Sequence, residues 1–235
     1  MSIISVVSPK GGAGKSTLAV TMATMFARLN VNVCVVDADP QQTVSHWYYG
    51  SNPNDEIKTS HKIHVIKNVG EENFYEVVGE AANHHPIVIV DTSGRANMTM
   101  SRAIVAADLV LIPTKPSTID MEAAINALKF INQEELGQKR KISHAIVLTE
   151  MPAAENFNTS ATREFTQKLD EAKIPYFKVQ LIKREAYRQM FYYRLGIDEL
   201  PSTDREKIKK VVNNAMSLVE ETVQFLRQSQ KSQIQ

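Results

Sequence analysis

Ser2-Ile3-Ile4-Ser5-Val6-Val7-Ser8-Pro9-Lys10-Gly11-Gly12-Ala13-Gly14-Lys15-Ser16-Thr17 passes from a short β-branched run, through a glycine-rich turn, into a segment of helical period. That order is the context a phosphate-binding loop requires. Glycines let backbone N–H groups converge on phosphate oxygens without Cβ clashes, and the helix opening at Ser16 adds the positive end of its dipole. Lys15 is placed to reach β and γ phosphates, and the Ser16 hydroxyl to ligate Mg²⁺. The strict spacing G-x-x-x-x-G-K-[ST] fails in one respect. Its first glycine falls on Pro9, and a second lysine, Lys10, stands directly before the glycine pair.

Outward from this stretch, short apolar runs recur at Ile3–Val7, Val33–Val36, Ile63–Ile66, Ile87–Val90, Leu109–Ile112, Ile142–Leu148 and Tyr176–Val179. Segments of helical length and period separate most of them: Leu18–Leu29, Phe74–Ala82, Met98–Ala106, Met121–Ile131 and Phe157–Ala172. The alternation predicts an α/β chain with a mainly parallel, twisted sheet of about seven or eight strands and helices on both faces. A last helix follows Leu200-Pro201-Ser202-Thr203-Asp204, with Ser202 or Thr203 as cap and Ile208, Val211, Ala215, Leu218, Thr222 and Phe225 on one face. The expected organisation is one domain over residues 1–228 and a polar, fraying tail over 229–235. Tyr48–Lys62, rich in Ser, Asn, Asp and Pro, reads as a surface loop.

Two acidic clusters join the loop. In Val36-Asp37-Ala38-Asp39-Pro40 the carboxylates are two apart, so an extended backbone points both the same way at a strand's carboxyl end. In Val90-Asp91-Thr92-Ser93-Gly94 another acid follows a buried run. Ligands of parallel sheets bind beyond the carboxyl ends of strands, so Asp37, Asp39 and Asp91 form a candidate Mg²⁺ and water-activating set. Taken singly, such acids are also common turn residues.

Composition narrows the rest. The chain has 235 residues, 43% of them hydrophobic, with 27 basic and 26 acidic side chains, so no overall field draws it to nucleic acid or membrane. Its single cysteine, Cys34, excludes an internal disulfide and leaves no cysteine pair for a zinc or iron–sulfur site. With neither a leader pattern nor an apolar run of spanning length, a soluble, cytoplasmic protein is expected. His84-His85 precede Pro86 at a strand entrance with no nearby carboxylate or cysteine to complete a metal set, and read as surface.

With these residues assembled, the sequence resembles the ParA/MinD family of deviant Walker-type P-loop ATPases, and most closely the short ParA-type (ParF-like) partition proteins. Lys10-Gly11-Gly12-Ala13-Gly14-Lys15-Ser16-Thr17 is similar to the family's Walker A with its signature lysine, Asp37-Ala38-Asp39-Pro40-Gln41 to its A′ motif, and Asp91-Thr92-Ser93-Gly94 to its Walker B end. The resemblance implies ATP and Mg²⁺ as cofactors and a slow ATPase. In it Lys10 crosses to the partner subunit's nucleotide in a sandwich homodimer, and Asp39 positions or activates the attacking water. Asp37 and Asp91 support the metal, mainly through water. It also implies that Pro113, in Ala107-Asp108-Leu109-Val110-Leu111-Ile112-Pro113, and Thr149 lie on the adenine side. Read from the residues alone, the alternative for Lys10 is a solvated charge.

The cargo is a separate question. Lys183, Arg184, Arg188 and Arg194 punctuate a short helix, with Arg184 and Arg188 on one face, and are candidates for nonspecific, salt-sensitive DNA contacts; a solvated basic face is the alternative. The resemblance implies an ATP dimer bound to nonspecific DNA, nucleoid-associated, and stimulated by a centromere-bound adaptor of ParB-like or ribbon-helix-helix type. A MinD-like membrane role is disfavoured by the polar end Arg227-Gln228-Ser229-Gln230-Lys231-Ser232-Gln233-Ile234-Gln235, so no stable membrane association is expected. A metabolic ligase resembling dethiobiotin synthetase is disfavoured by Lys10 and Asp39-Pro40-Gln41. Opening on its first strand, the sequence is expected to lack the DNA-binding extension of long ParA proteins, and operator-specific repression by this subunit is not expected. Trp47, Tyr48 and Tyr49 cover the nucleotide edge or pack, and Arg95 and Arg102 face a partner or solvent.

Overall fold

Six of the seven apolar runs become strands in the computed structural model, which describes residues 1–52, 54–152, 160–201 and 204–234. They are β1 Ser2–Val6, β2 Val33–Ala38, β3 Ile63–Ile66, β4 Ile87–Thr92, β5 Leu109–Thr114 and β6 His144–Leu148. All pair in parallel in one sheet, ordered β3-β2-β4-β1-β5-β6. The sheet therefore has six strands rather than seven or eight. Tyr176–Val179 meets it only through an isolated bridge from Tyr176 to Ile146. Phe177 donates to the Ile146 carbonyl at 2.9 Å as part of that bridge, but the amides after it, Lys178 and Val179, donate to the Glu221 carboxylate at 2.7 and 2.8 Å and are withdrawn from the ladder.

The strands read as unbroken apolar runs because both faces are covered. Val33, Val35, Ile87, Ile89, Leu109 and Leu111 point to one layer, built from α1 Lys15–Arg28, α2 Thr43–Tyr49, α7 Glu185–Tyr193 and α8 Arg205–Ile234. Their neighbours Cys34, Val36, Val88, Val90, Val110 and Ile112 point to the other, under α3 Phe74–His84, α4 Met98–Ala106, α5 Thr118–Gln138 and α6 Ser160–Glu171. Fully buried side chains such as Leu18, Met22 and Met25 contribute roughly 1.5–3 kcal/mol each, which fixes α1 under β1. The expected helix start at Phe157 and the caps at Ser202 or Thr203 lie outside the described residues. Beyond Gln228 the backbone stays helical through Ile234, since extending a formed helix costs far less than nucleating one. No described helix is long and apolar enough to cross a membrane.

The sheet order positions the site. The chain leaves β1 for β2 on one side, whereas β5 lies on β1's other side, so the loops beyond β1 and β4 open at a switch point. Asn97 and Ser117 cap α4 and α5 by accepting from the amides of Met100 and Asp120. Helix α1 has no side-chain cap and no acid in its first turn. Its N-terminal donors are left for a ligand.

Candidate nucleotide and metal site

The loop between β1 and α1 adopts a backbone that only its glycines allow at low cost. Gly12 and Gly14 have φ of 75° and 97°, and a Cβ on Gly11 or Gly12 would meet open space. That space is the cradle. From β4, Gly94 comes so close that a Cβ there would stand 2.6 Å from the Gly11 amide nitrogen. The two loops are thus in backbone contact, and glycine is required at 94.

Lys15 is buried and donates to the Lys10 carbonyl at 3.2 Å. Burial lowers its pKa, and the charges of Asp91 and Asp39 oppose the shift. The three carboxylates differ in partners. Asp37 accepts from the Ser45 amide and hydroxyl at 2.8 and 2.7 Å and from the Asp39 amide at 3.3 Å. Burial nevertheless raises its pKa. Asp39 is half-buried, accepts from the Gln41 amide, and lines the cleft. Asp91 is fully buried; the Ser16 hydroxyl lies close to it, but neither carboxylate oxygen has a hydrogen bond of full geometry. Desolvation pushes its pKa up to about 8; Ser16 and Lys15 oppose the shift, and Asp37 and Asp39 add to it.

An under-satisfied buried carboxylate beside Ser16, Asp37 and an uncapped helix end fits a divalent cation with its water shell, because only a strong positive charge makes that arrangement favourable. The Gly11–Thr17 cradle fits the phosphates such a cation accompanies. Gly11, Gly12, Gly14, Lys15, Ser16, Thr17 and Asp39, together with Arg95, line a cleft of about 780 Å³. A second cleft of about 590 Å³ opens on the other side of Gly14 and Thr17. Ala13 is buried under the loop, where its carbonyl accepts from Thr149 at 3.2 Å.

Lys10 is one-third exposed, and its ammonium meets Asp120 Oδ1 at 2.7 Å. Sequence reasoning missed Asp120. The signal was Ser117-Thr118-Ile119-Asp120, an N-cap serine with an acid three residues on, directly before an apolar helical run. The basic residues do not form one set. Lys183, Arg184 and Arg188 line the second cleft with Thr149. Arg194 lies apart, donating to the carbonyls of Trp47, Tyr48 and Glu56 at 3.2, 3.0 and 2.8 Å. Its guanidinium holds the chain after α2, so it stands apart from Lys183, Arg184 and Arg188, the other candidates for a DNA phosphate track. Pro113 is buried inside β5, paired with Val147, and lines neither cleft. Trp47 is core, its indole donating to the Leu195 carbonyl, and Arg102 stacks on Tyr75.

Comparison with known proteins agrees with this geometry. The VirC1 protein family model matches residues 1–225. A protein ParA of Rhizobium radiobacter is 30% identical over 231 residues, covering 97% of this chain and all of the relative. Apo McdA of Cyanothece superposes with a TM-score of 0.69 at 18% identity over 92% of this chain and 99% of that one. A putative plasmid partition protein of Borrelia burgdorferi bound to AMPPNP gives 0.66 at 18% identity, over 94% and 99%. The chain belongs to the VirC1 family and, with it, to the ParA/MinD group of deviant Walker-type P-loop ATPases.

Proposed function

We propose that this chain is a partition-type ATPase that closes into a dimer on ATP, binds DNA without sequence preference in that state, and resets by slow hydrolysis under a centromere-bound adaptor. The observation that carries the ATPase reading is the convergence of Asp39 and Asp91 on Lys15, with Asp37 beside Asp91, next to an uncapped, glycine-lined helix end. The partition reading is supported by the ParA relative, whose match covers 97% of this chain, and by the likeness in fold to a putative plasmid partition protein.

The roles follow from position. The loop amides and Lys15 hold the β and γ phosphates and neutralise charge that develops on them. Ser16, Asp37 and Asp91 would hold a Mg²⁺ ion, which would supply further neutralisation of charge on the phosphate oxygens. Asp39 is the only carboxylate of the three with solvent access, so it orients the attacking water and accepts its proton. The water oxygen forms the new bond to the γ phosphorus as the bond to the β–γ bridging oxygen breaks, leaving ADP and phosphate. Lys10, at the rim and one-third exposed, is the residue positioned to leave Asp120 for a second subunit's phosphates. Turnover then depends on dimerisation.

Lys183, Arg184 and Arg188 are the proposed DNA contacts. Their place on the wall of the cleft beside Gly14 and Thr17 favours a second reading, in which they hold the nucleotide instead. Sedimentation and DNA binding with ADP, ATP and a nonhydrolysable analogue separate the two. Asp39→Ala should bind ATP, dimerise and retain DNA, with hydrolysis lost. Arg184→Glu with Arg188→Glu should weaken DNA binding on the order of 10-fold or more while ATP affinity holds. Loss of ATP affinity in the double variant would assign these residues to the nucleotide, and unchanged turnover in Asp39→Ala would sink its role.

A further inference from the structure

At the end of the sheet opposite the phosphate loop, the fold assembles a set of metal-ligand side chains that the sequence order conceals. Parallel pairing puts Cys34 of β2 directly beside His64 of β3, so their side chains leave the same face. His84 ends α3, and His85 is its C-cap, just before β4. The expectation that no cysteine lies near the histidine pair is therefore corrected by strand pairing. Ligand atoms of Cys34, His64 and His85 all lie within 4.8 Å of one another.

We propose that Cys34, His64 and His85 bind a zinc ion, with water completing the tetrahedron on the exposed His64 side. Three details support it. His64 Nδ1 and His85 Nε2 face each other at 3.1 Å. Two imidazole nitrogens on one tetrahedral zinc stand roughly 3.3 Å apart, given Zn–N bonds of ~2.0–2.1 Å. The rings are tilted by 52° rather than stacked. The far nitrogen of the same ring, His85 Nδ1, is buried with no hydrogen-bond partner, so the ring's hydrogen bonding runs through Nε2 to His64.

One thiolate and two imidazoles are a donor set suited to Zn²⁺ and unsuited to Mg²⁺, so this site does not compete for the nucleotide's cation. Binding forms the Zn–S bond as the thiol proton leaves to solvent. The ion would tie the edge strand β3 to the junction of α3 and β4, away from the carboxyl ends where Asp37, Asp39 and Asp91 sit.

The test is titration of chelator-treated full chain with Zn²⁺ by calorimetry, and with Co²⁺ by absorbance. The expected result is one equivalent per chain and a thiolate-to-cobalt charge-transfer band. Cys34→Ala and His64→Asn should each weaken binding on the order of 100-fold, and Cys34→Ala should abolish the band. Cys34 is buried and its replacement can disturb packing, whereas His64 is exposed on an edge strand. His64→Asn should leave the circular dichroism unchanged and still lose the metal. Binding equal in wild type and His64→Asn, absence of the cobalt band, or absence of a saturable equivalent would overturn the proposal.

Discussion

Asp91 combines complete burial with two carboxylate oxygens that lack a hydrogen bond of full geometry, a combination that is unfavourable until a cation arrives. Replacing it by Asn removes the buried charge and the metal's anchor together. Asp91→Asn should therefore raise the unfolding temperature of the nucleotide-free protein in chelator, by roughly 1–3 kcal/mol of stability, while the further rise produced by Mg²⁺ and ATP disappears. The pH dependence has a definite sign. Because the folded pKa is raised, folding takes up a proton, and this group's contribution declines as pH climbs from about 4 to about 8. The advantage of Asp91→Asn over wild type should widen across that interval. Thermal unfolding in a pH series checks both parts; a variant no more stable than wild type at high pH would contradict the assignment. Gly94 makes a complementary point, since its glycine is required by the approach of Gly11 and not by its own backbone angle.

Among the elements, α2 shows how a site residue can build the structure around it. Thr43–Tyr49 contains Thr, Val, Trp and two Tyr, which are poor helix formers, yet it is helical. Asp37 holds its first turn through the Ser45 amide and hydroxyl, and Arg194 holds the chain at its other end through three carbonyls. Glycine at 50, with φ of 85°, ends the helix. Arg194→Ala should thus cost about 2–4 kcal/mol of stability and leave the ATP-dependent DNA affinity of the folded protein unchanged. Denaturant unfolding and DNA binding on the same preparation measure the two effects. A loss of DNA affinity without a loss of stability would return Arg194 to the phosphate track.

Across the whole molecule, the C-terminal segment is clamped to the loop before β3 by charge. Asp198, in the 3-10 turn Ile197–Glu199, pairs with His61 at 2.9 Å and Arg28 at 2.7 Å. Neighbouring Glu199 accepts from Thr59 and the Gly196 amide. The hydrogen bond to Asp198 raises the His61 pKa, with burial opposing it. Burial pushes Asp198 up, but His61 and Arg28 outweigh it and hold its pKa below the usual carboxylate value. The His61 contribution is complete below its unfolded pKa of about 6.5 and fades as pH rises through the higher folded value; that of Asp198 is complete above about 4 and fades as pH falls through the lower one. His61→Ala should cost roughly 1–2 kcal/mol near about pH 5.5, or about 2–8 °C in a chain of this size, and less near about pH 8.5. Equal losses at both values would show that the ring acts by packing alone.

The sequence by itself determined the strands, most helices and the phosphate loop, because each is written in contiguous residues. Strands covered on both faces must be continuously apolar, and a loop that lets amides converge needs glycine at fixed spacing. Met98–Ala106 has the same bounds in sequence pattern and structure. It could not show that Tyr176–Val179 stays outside the sheet, since the competing acceptor, Glu221, lies more than forty residues away. Nor could it separate Arg194 from Arg184 and Arg188, which share a basic stretch and differ only in what the fold brings against them. Only tertiary structure decided that Lys10 rests on Asp120, 110 residues on, and that Cys34, His64 and His85 meet. Strand pairing and helix docking set those neighbours, and both depend on the whole sheet being assembled.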